Sequence, residues 1–207
     1  NAPLAQAEGV PAPAAAFDAY AVSGYFGATL GTEEARPVVE GWLNDSLARA
    51  ETKAAEQGLT GDEAKDFVAI HRFDHAVTLA ARQLLDGSIN GKADGTLKDL
   101  LGRLWPYHAQ VARAHGLDLI MYEGGTHIVG HGAQVADTEL TEFLHHLNYA
   151  PEMGVLYETR RAGWQAVGGQ LFTAFVDVQA PTRWGSWGNL RHLNDENPRW
   201  DALMNFQ

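Results

Sequence analysis

Glu123 is the side chain in this sequence best placed to do chemistry. It closes a short apolar run at 117–122 and is followed at once by Gly124 and Gly125. Glycines remove bulk beside the carboxylate and let the backbone turn sharply. An acid at the C-terminal end of a buried parallel strand sits where sheet-based enzymes gather their reacting groups. The plainer reading is a solvated, inert Glu in a strand-ending turn. Tyr25 ends another apolar stretch, residues 17–26, and its hydroxyl could share a pocket with Glu123 or pack under a loop. Asp177 lies near the end of a third strand-like stretch, where it would either face the same pocket or hold a turn or Arg183.

Histidines offer a different chemistry. His71 and His75 are spaced four apart on a predicted helix, a spacing that can present two imidazoles to one metal. His127 and His131 repeat the spacing after Glu123, and His145 and His146 form an adjacent pair. The His-Glu-x-x-His motif is absent, because Arg72 follows His71 where a general-base Glu would be needed. His127 is better read as lining the cleft beside Glu123, able to hydrogen-bond a substrate hydroxyl. A metal held by Glu123, His127 and His131 is the competing arrangement. No cofactor is implied.

The elements that must position these groups follow from pattern. The Pro-rich residues 1–16 read as a lead-in loop. Residues 17–26, 117–123 and 171–178 read as strands, the last rich in aromatic and β-branched residues. A first helix is expected from Thr32 to about Gln57 and a second from Thr60 to about Gly87. A third is expected over 96–115, with a kink or a break at Pro106. Two more helices should open at Asp137 and Pro151, and a short one at Pro198, capped by Asn197. Long helices between the strands predict mutually parallel pairing. Three helices between the first two strands exceed what one crossover needs, so residues 32–86 read as a helical insertion.

Composition sets the outer bounds. The 207 residues, 45% of them hydrophobic, are enough for one sizeable domain. A net charge of −11 argues against nucleic acid or an anionic membrane as partner. No stretch is long and apolar enough to cross a bilayer, and no signal peptide is read at the N-terminus. The absence of cysteine excludes disulfides and a thiol nucleophile. An acidic, Cys-free chain with six tryptophans suits a bacterial secreted protein, and also a cytosolic one. Flat indoles stack on sugar rings as readily as they fill cores.

Taken together, Tyr122-Glu123-Gly124-Gly125, the Tyr25-Phe26-Gly27 strand end and the final strand with its Trp184-Gly185-Ser186-Trp187-Gly188 loop resemble the C-terminal part of a retaining (β/α)8 glycoside hydrolase. The resemblance implies an α/β fold, the last portion of a TIM barrel. It implies Glu123 as nucleophile, Tyr25 as its support, and Trp184 or Trp187 as a platform for a carbohydrate substrate. The family's acid/base, in an Asn-Glu pair, has no counterpart here, and Asp177 is the nearest substitute. Three strands where a barrel has eight imply that the N-terminal half of the barrel is a partner. The alternatives are a barrel that binds glycans without cleaving them, and a small α/β fold that borrows the motif.

Overall fold

The computed structural model describes residues 2–205. Three strands, β1 (Ala19–Ser23), β2 (Asp118–Gly124) and β3 (Leu171–Ala174), form one sheet in the order β1-β2-β3, and both pairings are parallel. The fold is therefore α/β, with helix far outweighing strand. β1 and β3 are shorter than the sequence predicts, and β2 keeps its predicted length, displaced by one residue. β1 ends at Ser23, but the Gly24 N–H still donates to the Glu123 carbonyl at 2.9 Å, and pairing goes on to a single bridge between Phe26 and Thr126. After Phe175 the chain leaves β2 altogether, and Val176 pairs instead with Trp187 and Asn189 in the following loop.

The helices are α1 (Ala2–Ala7), α2 (Arg36–Glu56), α3 (Gly61–His71), α4 (Asp74–Asp86), α5 (Leu97–Asp99), α6 (Trp105–Ala114), α7 (Thr138–Tyr149), α8 (Pro151–Ala166) and α9 (Pro198–Met204). Three expectations change. The lead-in contains α1, because Pro3 falls in its first turn, where no N–H is required. The second predicted helix is two, α3 and α4, broken at Arg72 and Phe73. Phe73 is buried against Phe143 and His146, with ring centroids 5.5 and 5.4 Å away. Burying that ring outweighs continuing a helix whose first half has no buried residue. The third helix is continuous but carries a π turn, Leu100–Leu104, just before Pro106. A wider turn absorbs the missing N–H and the ring clash that proline imposes.

The core lies between one sheet face and the helices. Val22, Leu119 and Met121 are buried beneath that face, and the edge-to-face pair Trp105–Trp164, 5.0 Å apart, fills the space between α6 and α8. Each such indole contributes roughly the 1.5–3 kcal/mol expected of a fully buried large side chain. The other sheet face is open. Ala21, Ile120 and Leu171 stand side by side in register across it, Tyr122 follows, and Leu171 and Tyr122 are more than half exposed. Helices α2, α3 and α4 pack on one another, and α4 joins them to α5, α7 and α8. No helix among the described residues is long and apolar enough to cross a membrane.

Candidate active site

The β2 strand end brings a carboxylate to a crowded place. Glu123 pairs with Ser23 across a bulge in the β1–β2 ladder and is half-buried. Tyr25, just past β1, faces the Glu123 carboxylate. Burial first, then the Glu123 charge and hydrogen bonding towards it, push the phenol up to about 12. The hydroxyl therefore stays a donor at any pH at which an enzyme works.

Rings enclose this pair on one side. Tyr25 meets His127, Trp187 and Phe175 edge-on, at centroid distances of 5.9, 6.0 and 6.4 Å. His127 lies 4.8 Å from Trp187, and Phe175 6.0 Å from it. Edge-to-face geometry suits the quadrupoles of such rings. Burial, with the neighbouring His131 adding to it, lowers the His127 pKa, so its imidazole is neutral at pH 7. Phe175 is the member that sequence reasoning missed; it was read as one of a run of strand residues, and its 40% exposure has no local signature.

The two glycines after Glu123 make room rather than a turn. Neither has a left-handed φ. A Cβ on Gly124 would come within 2.3 Å of Arg160 Nη2 and 2.9 Å of the Gly24 backbone. A Cβ on Gly125 would come within 3.0 Å of the Tyr157 hydroxyl. The space is thus taken by Arg160, a fully buried guanidinium from α8. Its Nε donates to the Gly24 carbonyl at 3.0 Å, and it lies 4.3 Å over the Phe172 ring. Burial lowers its pKa to about 10, still high enough to keep it charged. No carboxylate among the described residues pairs with it, so positive potential sits directly behind the Tyr25 and Glu123 strand ends.

The remaining candidates separate. Trp187 is half-buried in the ring enclosure, and its indole N–H donates to the Trp184 carbonyl at 3.0 Å. Trp184 itself is 60% exposed and stacks only on Arg183, so it lies outside the enclosure. Asp177 is exposed, and its carboxylate accepts the N–H of Val178 at 2.8 Å instead of reaching Glu123. His71 ends α3 and is hydrogen-bonded to Asp74 at 2.8 Å, while His75 lies in the first turn of α4, so the pair straddles a helix break instead of sharing one helix. Among the described residues no three His, Asp or Glu side chains converge as a metal site, Glu123, His127 and His131 included.

A concavity of about 590 Å³ lies elsewhere, between α2 and the start of α4, where Arg49, Lys53, His71 and His75 line it. It is open to solvent, and size alone does not make a site. The convergence of a carboxylate, the phenol that faces it and three further rings makes the strand ends the candidate. No protein-family model, curated protein or solved structure matches this chain.

Proposed function

We propose that this chain is the nucleophile-bearing portion of a retaining glycoside hydrolase barrel that acts on a poly- or oligosaccharide. The observation that carries the reading is the apposition of Tyr25 and Glu123 at the C-terminal ends of two adjacent parallel strands, walled by His127, Phe175 and Trp187. In the retaining mechanism Glu123 attacks the anomeric carbon as the glycosidic C–O bond breaks and a second carboxyl protonates the departing oxygen; that carboxyl then takes a proton from the water that hydrolyses the glycosyl ester and frees Glu123. The Tyr25 donor fixes the carboxylate's direction. Trp187 supplies a flat face to a sugar ring, and neutral His127 can exchange hydrogen bonds with a sugar hydroxyl.

The second carboxyl belongs about 5–5.5 Å from the first, and it would come from the half of the barrel that completes the sheet. Three features support a completing half. Both outer strands have a free edge, one sheet face is open, and a groove of about 310 Å³ runs beside β1 between Tyr20, Tyr25, Tyr122 and His108. Parallel sheets are normally covered on both faces. The extracellular setting expected from composition belongs to the same proposal. Asp177, turned onto its own backbone, favours one second reading, a barrel that binds glycans without cleaving them.

Glu123→Gln in the intact polypeptide tests both. The near-isosteric amide keeps the fold but cannot form the ester, so kcat should collapse while glycan binding persists. Incubation with a panel of activated 2-deoxy-2-fluoroglycosides should add one glycosyl mass on the Glu123 peptide. Full activity of Glu123→Gln ends the hydrolase reading, and glycan binding with no turnover by the wild type favours the binding barrel.

A further inference from the structure

The ring enclosure spans two loops that share no sheet hydrogen bond. His127 comes from the loop after β2, and Trp187 from the loop after β3. Their rings nevertheless meet at 4.8 Å. One side chain from a third element touches both loops. Arg199, in the first turn of α9, is 1% exposed. Its Nη1 donates to the Ser186 carbonyl at 3.0 Å, to Asn148 Oδ1 at 3.1 Å and, more weakly, to Thr126 Oγ1 at 3.4 Å. Its Nη2 donates to the Gly188 carbonyl. Ser186 and Gly188 flank Trp187, and Thr126 precedes His127.

We propose that Arg199 is a positioning residue that sets the spacing of His127 and Trp187, and so the width of the enclosure beside Glu123; its functional meaning rests on the glycosidase reading above.

Three observations argue for a fork and not a mere plug. A buried guanidinium is costly unless its N–H groups are met. Here both Nη groups are met, by backbone carbonyls, an amide and more weakly a hydroxyl, with no carboxylate among the partners, while the buried Nε has no partner among the described residues. Those acceptors lie on separate segments, so the planar, rigid donor set of arginine fixes their mutual distance, which a lysine ammonium cannot. The anchor is itself held. Asn197 caps α9 by accepting the Trp200 N–H at 3.0 Å, and Asp195 fastens the preceding loop to Arg191 at 2.6 Å. Asn148, which also accepts the Thr126 hydroxyl at 2.7 Å, closes the network on α7.

The test needs no substrate, so its failure is separate from failure of the glycosidase reading. The imidazole resonances of the full chain are titrated by NMR in wild type, Arg199→Gln, Arg199→Lys and Thr126→Val. His127 is held low by the burial that Trp187 helps to provide. Arg199→Gln should let the loops part, and the His127 midpoint should rise towards that of an ordinary histidine. Arg199→Lys should give an intermediate rise. Thr126→Val, nearly isosteric, should move His127 the same way through the loop tie alone, and it decides the matter if Arg199→Gln does not fold. His146 is also held low by burial but packs on Phe73, away from the enclosure, and should not move. An unchanged His127 midpoint in a folded Arg199→Gln, or in Thr126→Val if that is the variant that folds, overturns the proposal. A His146 that moves together with His127 overturns it too, because the effect is then general loosening.

Discussion

Gly124→Ala isolates the packing behind the candidate nucleophile. The added methyl would sit 2.3 Å from Arg160 Nη2 and 2.9 Å from two backbone atoms of Gly24, against an ordinary contact of 3.4 Å or more. Neither neighbour can retreat cheaply. Gly24 is hydrogen-bonded into the sheet through the Glu123 carbonyl, and Arg160 is pinned by the Gly24 carbonyl and stacked on Phe172. Backbone strain does not enter, because the φ of Gly124 is not left-handed. Overpacking alone costs about 1–3 kcal/mol, and displacing Arg160 from its one carbonyl adds roughly 1.5–3 kcal/mol for a lost bond to a charged donor. Denaturant unfolding followed by tryptophan fluorescence should therefore show a loss of about 2.5–6 kcal/mol. Gly41→Ala is the control. That exposed position in α2 has nothing within 4 Å of a new Cβ, and the change should stabilise the chain by about 0.5–1 kcal/mol. A Gly124→Ala loss below about 0.5 kcal/mol would mean that Arg160 is not wedged where its contacts place it.

Tyr25 should be among the last tyrosines to ionise in an ultraviolet titration, near pH 12, and Glu123→Gln should bring its midpoint down by removing the charge and the accepted hydrogen bond; an unmoved midpoint would deny the contact. Trp187→Ala should weaken glycan binding by roughly 1–3 kcal/mol, the range for loss of an aromatic platform, whereas Trp184→Ala should do much less; equal losses by calorimetry would contradict the enclosure. Asp195 is held well below the usual carboxylate range by its hydrogen bonds to Arg191. Its contribution is therefore complete above the unfolded pKa of about 3.9 and lost as pH falls through the depressed value. Asp195→Asn should cost stability at pH 7, and the gap to wild type should close below about pH 4; a gap independent of pH would show that the pair does not titrate as a unit.

The parallel sheet and the place of Glu123 were legible because they rest on short-range patterns: an apolar run, a helix before it and small residues after it. Caps at Asp137 and Asn197 were legible for the same reason. What was hidden depends on contacts distant in sequence. Arginine is by default a surface residue, and nothing near Arg160 or Arg199 marks them as buried. Gly24 and Gly124 did carry a signal, since glycines at the ends of two predicted neighbouring strands mark room for a third group to approach. The break at Phe73 was invisible because His71 and His75 keep helical spacing across it. Trp184 and Trp187 have nearly identical local settings, and only the pairing of 176–179 with 187–190 turns one inward and leaves the other outside.

The burial of Arg160 and Arg199 also changes what an approaching molecule meets. Both count among the 15 basic residues, yet neither presents its charge to solvent, so the surface is more acidic than the formal −11 implies. Such a surface repels polyanions over roughly a Debye length, about 10 Å at 0.1 M salt. Uronate-rich or sulfated polymers would then approach more readily as ionic strength rises, while neutral or amino sugars would arrive unhindered in dilute buffer. Under the proposed glycosidase reading, the two buried arginines would thereby leave the acidic exterior to sort glycans by charge before any ring is engaged.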